Sequence, residues 1–164
     1  MKRSITAAFL ILGIGLLIPA IAHRVKAQDA AGAPVGSPNE IIDQFMNQVG
    51  QNQIDNAVSV MDGLKIDAEL KQSARNDLIR VRNDQGQYHG YEIADVQRFT
   101  GRFQTVDVLA YYDQQPALFR FHFYRPDALN NGKWDILGFQ AHTDLPEIVT
   151  MIKDATEQTA GRRR

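Results

Sequence analysis

The sequence predicts an α+β domain: N-terminal helices packed on a curved antiparallel sheet of three to four strands, with a short C-terminal helix. Two observations support this. Apolar residues recur at helical spacing between residues 38 and 85, and beyond Gly86 the apolar period falls to two. Helices followed by a run of neighbouring strands are typical of the α+β class.

The helical half has three predicted helices. Ser37-Pro38-Asn39-Glu40 forms a capping box with proline at the first helical position, so a helix begins there and can end at Gly50. A second, short helix is predicted over 54–61. A third begins at Asp67, a favourable N-cap residue, and ends near residues 84–86.

The clearest strand covers residues 117–125, where three phenylalanines alternate with polar residues before Pro126 ends the pattern. Further strands are predicted over 102–112 and 133–142, with a weaker candidate over 91–99. Thr143 or Asp144 can then cap the last helix.

A hairpin with Gln114 and Gln115 at its tip predicts the register of the sheet. It places Val106 opposite Phe123, Val108 opposite Phe121 and Ala110 opposite Phe119, and it places Asp107 opposite His122. Pairing Phe121 with Phe139 adds Leu137 and Ala141 to the same face. This apolar face should dominate, because each large apolar side chain buried is worth about 1.5–3 kcal/mol and an exposed ion pair at most about 1 kcal/mol.

The first 27 residues predict a cleavable export signal. Lys2 and Arg3 precede 16 uncharged residues, 7–22, a run shorter than the roughly 20 residues that a membrane-spanning helix needs. Two small-residue cleavage sites fit, after Ala22 and between Ala27 and Gln28, and we favour the second because it leaves a polar segment after the apolar run. The cleaved chain would be periplasmic or secreted and would meet the membrane only during export; an uncleaved N-terminal membrane anchor is the alternative.

The remaining chain is long enough for one domain. We expect a flexible spacer over 28–36, a single domain over 37–156 and a basic disordered tail over 157–164.

Charge and cysteine content exclude several classes of function. Removing the four basic residues of the signal leaves 14 basic residues against 19 acidic ones, a net charge of about −5, so we expect no nucleic-acid partner. The chain has no cysteine, which excludes disulfides, thiolate metal sites, thiol nucleophiles and a lipid-modified cysteine.

Two stretches of the sheet region carry a family resemblance: residues 86–92 (GQYHGYE) and residues 115–126 (QPALFRFHFYRP), followed by Trp134. With the order of helices and strands, the chain resembles small exported bacterial proteins of the nuclear-transport-factor-2-like (cystatin-like α+β) superfamily over about residues 38–143. The resemblance implies a curved sheet that wraps a long helix and often leaves a cone-shaped cavity. It implies no catalytic residue, because no aspartate and tyrosine pair aligns with the isomerase members.

Asp107 and His122 form the sharpest chemical candidate. A carboxylate beside an imidazole can orient it and favour its charged form, as a general base requires. A small cavity enzyme of isomerase or hydrolase-like type would use this pair. The structural interpretation is a solvated cross-strand ion pair, and we favour it because the face of a sheet opposite a core is usually polar.

The same polar face offers candidates for binding. Arg120, Tyr124 and Tyr111 lie on it beside Leu109 and Ile136, a mixed surface that suits a small molecule, a protein partner or a homodimer. We predict no cofactor and no metal, because His122 and His142 would lie about 13 Å apart along the strands. With no strong catalytic motif, the favoured function is a non-catalytic exported binding or interaction module.

Overall fold

The computed structural model describes residues 36–62, 67–126 and 132–161. It confirms the predicted α+β class: three helices precede a four-stranded antiparallel sheet of order β1-β2-β3-β4, and a helix follows it. The predicted signal over 1–27, its cleavage between Ala27 and Gln28, most of the spacer and the last three residues lie outside the described residues.

The three N-terminal helices are α1 (Pro38–Gly50), α2 (Ile54–Ser59) and α3 (Ala68–Gln85). α1 and α3 begin where their capping residues predict, whereas no side chain caps α2. The Ser37 side chain accepts from the Glu40 N–H and the Glu40 carboxylate accepts from the Ser37 N–H, which completes the capping box. Asp67 caps α3 by accepting from the Glu69 N–H at 3.2 Å.

The strands are β1 (Tyr88–Thr100), β2 (Phe103–Tyr112), β3 (Ala117–Tyr124) and β4 (Asp135–His142). β1 is longer than its weak pattern predicted. Its pairing with β2 shifts between Ile93 and Asp95 and again between Arg98 and Thr100. These irregularities interrupt the alternation of side chains, which explains the weak signal in the sequence.

The core lies between the helices and one face of the sheet, which we call the core face. β3 contributes Phe119, Phe121 and Phe123 to it, all fully buried. Phe45 of α1 meets Phe121 edge-on, with ring centroids 5.1 Å apart, and Phe139 lies 5.5 Å from Phe45. This aromatic cluster joins α1 to the centre of the sheet.

The predicted register of β2 against β3 is wrong by two residues. Val106 pairs with Phe121, Val108 with Phe119 and Ala110 with Ala117, so Asp107 pairs with Arg120 rather than with His122. The turn is centred one residue earlier because backbone bonds tie it to the α3–β1 connection: the Asp113 N–H donates to Gln87 and the Gln114 N–H to Gln85. A shift of two keeps every side chain on its face, so alternation could not choose between the registers.

A bulge in β4 makes a second prediction wrong, the one that placed Leu137 on the core face. Phe121 pairs with Phe139 and Leu118 with His142, as expected, but the register shifts between His122 and Phe123. Ile136 therefore enters the core at 1% exposure, whereas Leu137 is 50% exposed. The sequence pattern had assigned these two residues to the opposite faces.

The other side of the sheet, which we call the second face, carries Leu118, Arg120, His122 and Tyr124 of β3. Helix α4 (Leu145–Gly161) contacts β1 and β3, and its Ile148 is buried together with Leu118. α4 thus covers part of the second face, which the sequence predicted to be free, and it extends five residues beyond the predicted domain end at 156.

Asp144 is the residue that caps α4. Its side chain accepts from the Glu147 N–H at 2.9 Å, and its carbonyl accepts from the Ile148 N–H at 2.9 Å. No helix in the described ranges is both long and apolar enough to cross a bilayer.

Candidate functional site

Asp107 and Arg120 form an ion pair on the second face. Arg120 Nε and Nη2 donate to the two Asp107 carboxylate oxygens, each at 2.7 Å. The Asp107 side chain is only 4% exposed and that of Arg120 24%. The hydrogen bonds to Asp107 raise the pKa of Arg120, and the charges of Asp107 and Asp95 add to this effect. Both oxygens of the Asp107 carboxylate therefore already accept hydrogen bonds from the Arg120 guanidinium.

His122 has different partners from those the sequence predicted. Its Nδ1 lies 2.9 Å from Thr105 Oγ1, and its ring stacks on Phe103 with centroids 6.4 Å apart. Gly138 leaves room for the ring, because a Cβ there would lie 3.0 Å from His122 Cδ2. Burial lowers the pKa of His122, and Arg120 lowers it further against the opposing charge of Asp107.

This geometry does not supply the acid–base pair. Asp107 faces Arg120 across the strands and His122 faces Thr105. A lowered pKa keeps the imidazole neutral near pH 7, whereas a carboxylate partner would stabilise the imidazolium. The pair that the catalytic hypothesis requires is replaced by a structural ion pair and a packed histidine.

The predicted binding residues of the second face do not form one site. Tyr124 pairs with Phe103, which is eight residues from Tyr111 along β2, about 27 Å at ~3.4 Å per residue. Tyr111 donates to Glu92 at 2.5 Å, and this hydrogen bond raises the pKa of Tyr111 to about 12. Arg120 lies between them, held by Asp107.

The other two histidines of the described residues take part in separate pairs. His89 Nε2 lies 2.6 Å from Asp113 and His142 Nδ1 lies 3.0 Å from Glu147. Within the described residues, no group of three histidine, aspartate or glutamate side chains is arranged to hold a metal ion.

A pocket of about 440 Å³ opens at the edge of the core, a place that the sequence did not indicate. It lies where α1 ends, α3 ends, β1 begins and β2 ends. Its lining residues come from these four ends and from the α1–α2 connection: Val49, Gly50, Gln51, Asn52, Ile54, Leu78, Arg82, Gly86, Gln87, Tyr88 and Tyr112. Its volume is in the range of small-molecule sites.

Two glycines shape the pocket. A Cβ at Gly50 would lie 2.9 Å from Tyr88 Cε1, so glycine lets the tyrosine ring pack on the end of α1. Gly86 ends α3 with φ +87°, a conformation that favours glycine, and a Cβ there would lie 2.8 Å from Asp113 Oδ2. For both positions the sequence predicted only the end of a helix.

Asp113 holds the rim of the pocket in place. Its Oδ2 accepts from the Gln87 N–H at 2.8 Å and its Oδ1 lies 2.6 Å from His89 Nε2. These hydrogen bonds lower the pKa of Asp113, the one from Gln87 having the larger effect. The carboxylate joins the start of β1 to the end of β2 beside the two tyrosines.

Tyr88 and Tyr112 contribute two phenol hydroxyls to the pocket. Their rings meet edge to face at 5.7 Å, and neither hydroxyl has a hydrogen-bond partner within the described part of the chain. Burial raises the pKa of Tyr88 to about 12 and raises the pKa of Tyr112, which Tyr88 increases further. Both phenols therefore stay protonated and available as donors.

Comparisons with protein-family models, curated proteins and solved structures give no match to this chain. The resemblance to the nuclear-transport-factor-2-like superfamily therefore stays a prediction.

The lowered pKa of His122 predicts a pH dependence of stability. Since the unfolded chain binds the imidazole proton at a higher pH than the folded chain, the free energy of unfolding should fall as the pH drops below about 6.5. Urea denaturation of wild type and His122→Gln at pH 7.5 and 5.5 measures this, and the variant should lose less stability. His89→Gln, at an exposed histidine, is the control. Equal losses in His122→Gln and wild type would contradict the assignment.

Gly86→Ala should destabilise the rim of the pocket by about 1–3 kcal/mol, because alanine disfavours this backbone conformation and its Cβ would clash with Asp113. Chemical denaturation measures the loss. Gly101→Ala is the control, since a Cβ at Gly101 meets no atom within 4 Å. The interpretation would be wrong if the two variants were equally stable.

Proposed function

We propose that this protein is a non-catalytic exported binding module that holds a small molecule in the pocket between the ends of α1, α3, β1 and β2. Export rests on the signal pattern of residues 1–27, and the fold family on the resemblance of the sheet region. The observation that supports binding is the pair of unpartnered phenols, Tyr88 and Tyr112, in a pocket of about 440 Å³.

Neither hydroxyl is among the fully buried side-chain atoms that lack a partner, so both are open to solvent at the pocket. A ligand that accepts from the two phenols would replace water as their hydrogen-bond partner. The apolar side of the pocket comes from Val49, Ile54 and Leu78. A few convergent polar groups over an apolar wall are the usual composition of a small-molecule site.

The alternative function, a cavity enzyme that uses Asp107 and His122, has no observation in its favour. Asp107 is held by Arg120, and His122 bonds to Thr105. A homodimer through the sheet face also stays a prediction; the uncovered part of the second face includes Leu137 at 50% exposure.

A thermal-shift screen tests the binding proposal. Small aromatic and alicyclic fragments at millimolar concentration should raise the melting temperature of the wild type, because a ligand that binds only the folded state stabilises it. Ile54→Trp fills the pocket and should abolish the shift. Val96→Trp, at a 40% exposed position outside the pocket, should retain it.

Two results would overturn the proposal: no fragment stabilises the wild type, or Ile54→Trp responds as strongly as the wild type does. A far-ultraviolet spectrum and a cooperative melt of each variant establish that the substitution leaves the domain folded.

A further inference from the structure

We infer that the pocket takes a small organic anion, a flat apolar body carrying one carboxylate, which is held by Arg82, Tyr88 and Tyr112. This inference rests on the proposed function, because it names the ligand class of the same pocket. It depends on the charge of the lining and on the two phenol donors, and Val49, Ile54 and Leu78 provide the apolar wall for the body of the ligand.

The pocket lining carries one positive charge and no negative one. The chain has 19 acidic and 18 basic residues, yet of the described residues that line the pocket none is acidic and one, Arg82, is basic. Arg82 forms no ion pair with any described residue. An exposed guanidinium beside an apolar pocket is suited to pair with a ligand carboxylate through two hydrogen bonds.

The phenols add neutral donors. Tyr112 is 9% exposed and Tyr88 is half-buried, and both hydroxyls are open to solvent at the pocket. Hydrogen bonds to a charged acceptor are about twice as strong as those between neutral groups. A carboxylate has two oxygens and can accept from both phenols and from Arg82 together.

Two features of the site disfavour an anion: the C-terminal ends of two helices and the Asp113 carboxylate. Other groups already neutralise both. The ends of α1 and α3 carry negative partial charge. Backbone N–H groups of residues 51, 52 and 53 cap the last carbonyls of α1, and Arg82 itself lies in the last turn of α3. The Asp113 carboxylate at the rim is engaged by the Gln87 N–H and by His89.

Three probes that share a naphthalene ring system and differ in charge measure which ligand charge the pocket prefers. They are 2-naphthoate, 2-naphthamide and 2-naphthylmethylammonium, titrated calorimetrically into the protein at low and at 0.5 M salt. We expect naphthoate to bind about fivefold more tightly than the amide at low salt and the ammonium to bind most weakly. The advantage of the carboxylate should shrink at high salt, because an exposed guanidinium is screened.

Matched variants assign the contacts. Tyr88→Phe and Tyr112→Phe should each weaken naphthoate about tenfold, the loss expected for one charge-assisted hydrogen bond, and affect the amide less. Arg82→Gln should weaken naphthoate about fivefold and leave the amide unchanged. The controls are Tyr124→Phe on the second face and Arg102→Gln in the β1–β2 turn, and both should bind as the wild type does.

The outcomes separate this inference from the proposed function. If the amide or the ammonium binds as tightly as naphthoate, or Arg82→Gln leaves naphthoate binding unchanged, the anion inference is wrong while binding in the pocket stands. If none of the probes binds and the fragment screen also gives no shift that Ile54→Trp abolishes, the proposed function fails as well.

Discussion

Phe121→Ala should lower the free energy of unfolding by about 3–5 kcal/mol, because removing a large buried aromatic side chain loses its transfer free energy and leaves a cavity. Phe121 is fully buried and its ring contacts those of Phe45 and Phe139, with centroids 5.1 and 5.3 Å away. Small domains have about 5–15 kcal/mol of stability, so this loss would be a large fraction of the total.

Urea denaturation at 25 °C measures the loss, and Phe99→Ala is the matched control. Phe99 is 53% exposed, and its truncation should cost less than about 1 kcal/mol. If Phe121→Ala does not fold, Phe121→Leu tests the same core position with a smaller expected loss in the free energy of unfolding. The core assignment would be contradicted if Phe121 variants were as stable as Phe99→Ala.

Arg120→Met should cost about 3 kcal/mol. The substitution leaves the Asp107 carboxylate buried at 4% exposure without its counter-charge. Asp95 of β1 is the strand partner of Asp107, so a second carboxylate lies beside it. Breaking one partner of a buried ion pair costs about 3–5 kcal/mol, and the partial exposure of Arg120 favours the lower end. Asp95 would lose a nearby cation as well, and its Oδ2 is already buried without a hydrogen bond.

The comparison is with Arg75→Met, which breaks the ion pair to Asp55 at side-chain exposures of 41% and 78% and should cost far less, because exposed ion pairs contribute little to stability. The double variant Asp107→Leu, Arg120→Met should recover most of the loss, because it removes both charges together. A double variant as unstable as Arg120→Met would show that the loss comes from packing rather than from the unpaired charge.

Local signals predicted the elements well. The capping box at Ser37 and the cap at Asp67 located two helices, and the alternating phenylalanines located β3 and its buried face. These features depend on neighbouring residues in the chain, so the sequence contains them directly.

Long-range geometry could not be predicted in the same way. The two-residue error in the β2–β3 register left each face intact, so the alternation of side chains contained no information against it. The turn is placed by backbone bonds from Asp113 to Gln87 and from Gln114 to Gln85, around the α3–β1 connection, which no local pattern reveals. That error alone turned the Asp107–Arg120 ion pair into a predicted Asp107–His122 pair.

The pocket illustrates the same limit. Gly50 and Tyr88 are far apart in the chain, and the close approach that makes Gly50 necessary exists only in the folded domain. The covering of the second face by α4 is also a tertiary feature, since the buried side of α4 resembles any amphipathic helix in the sequence.

The central claim is that the pocket between the ends of α1, α3, β1 and β2 is the binding site. It is tested most directly by adding 2-naphthoate to ¹⁵N-labelled protein and recording which backbone amide resonances move. The account predicts shifts at the pocket amides, with Gly50, Asn52, Gly86 and Gln87 among the largest. Shifts centred on Arg120 and His122 of the second face, or none at millimolar probe, would contradict it.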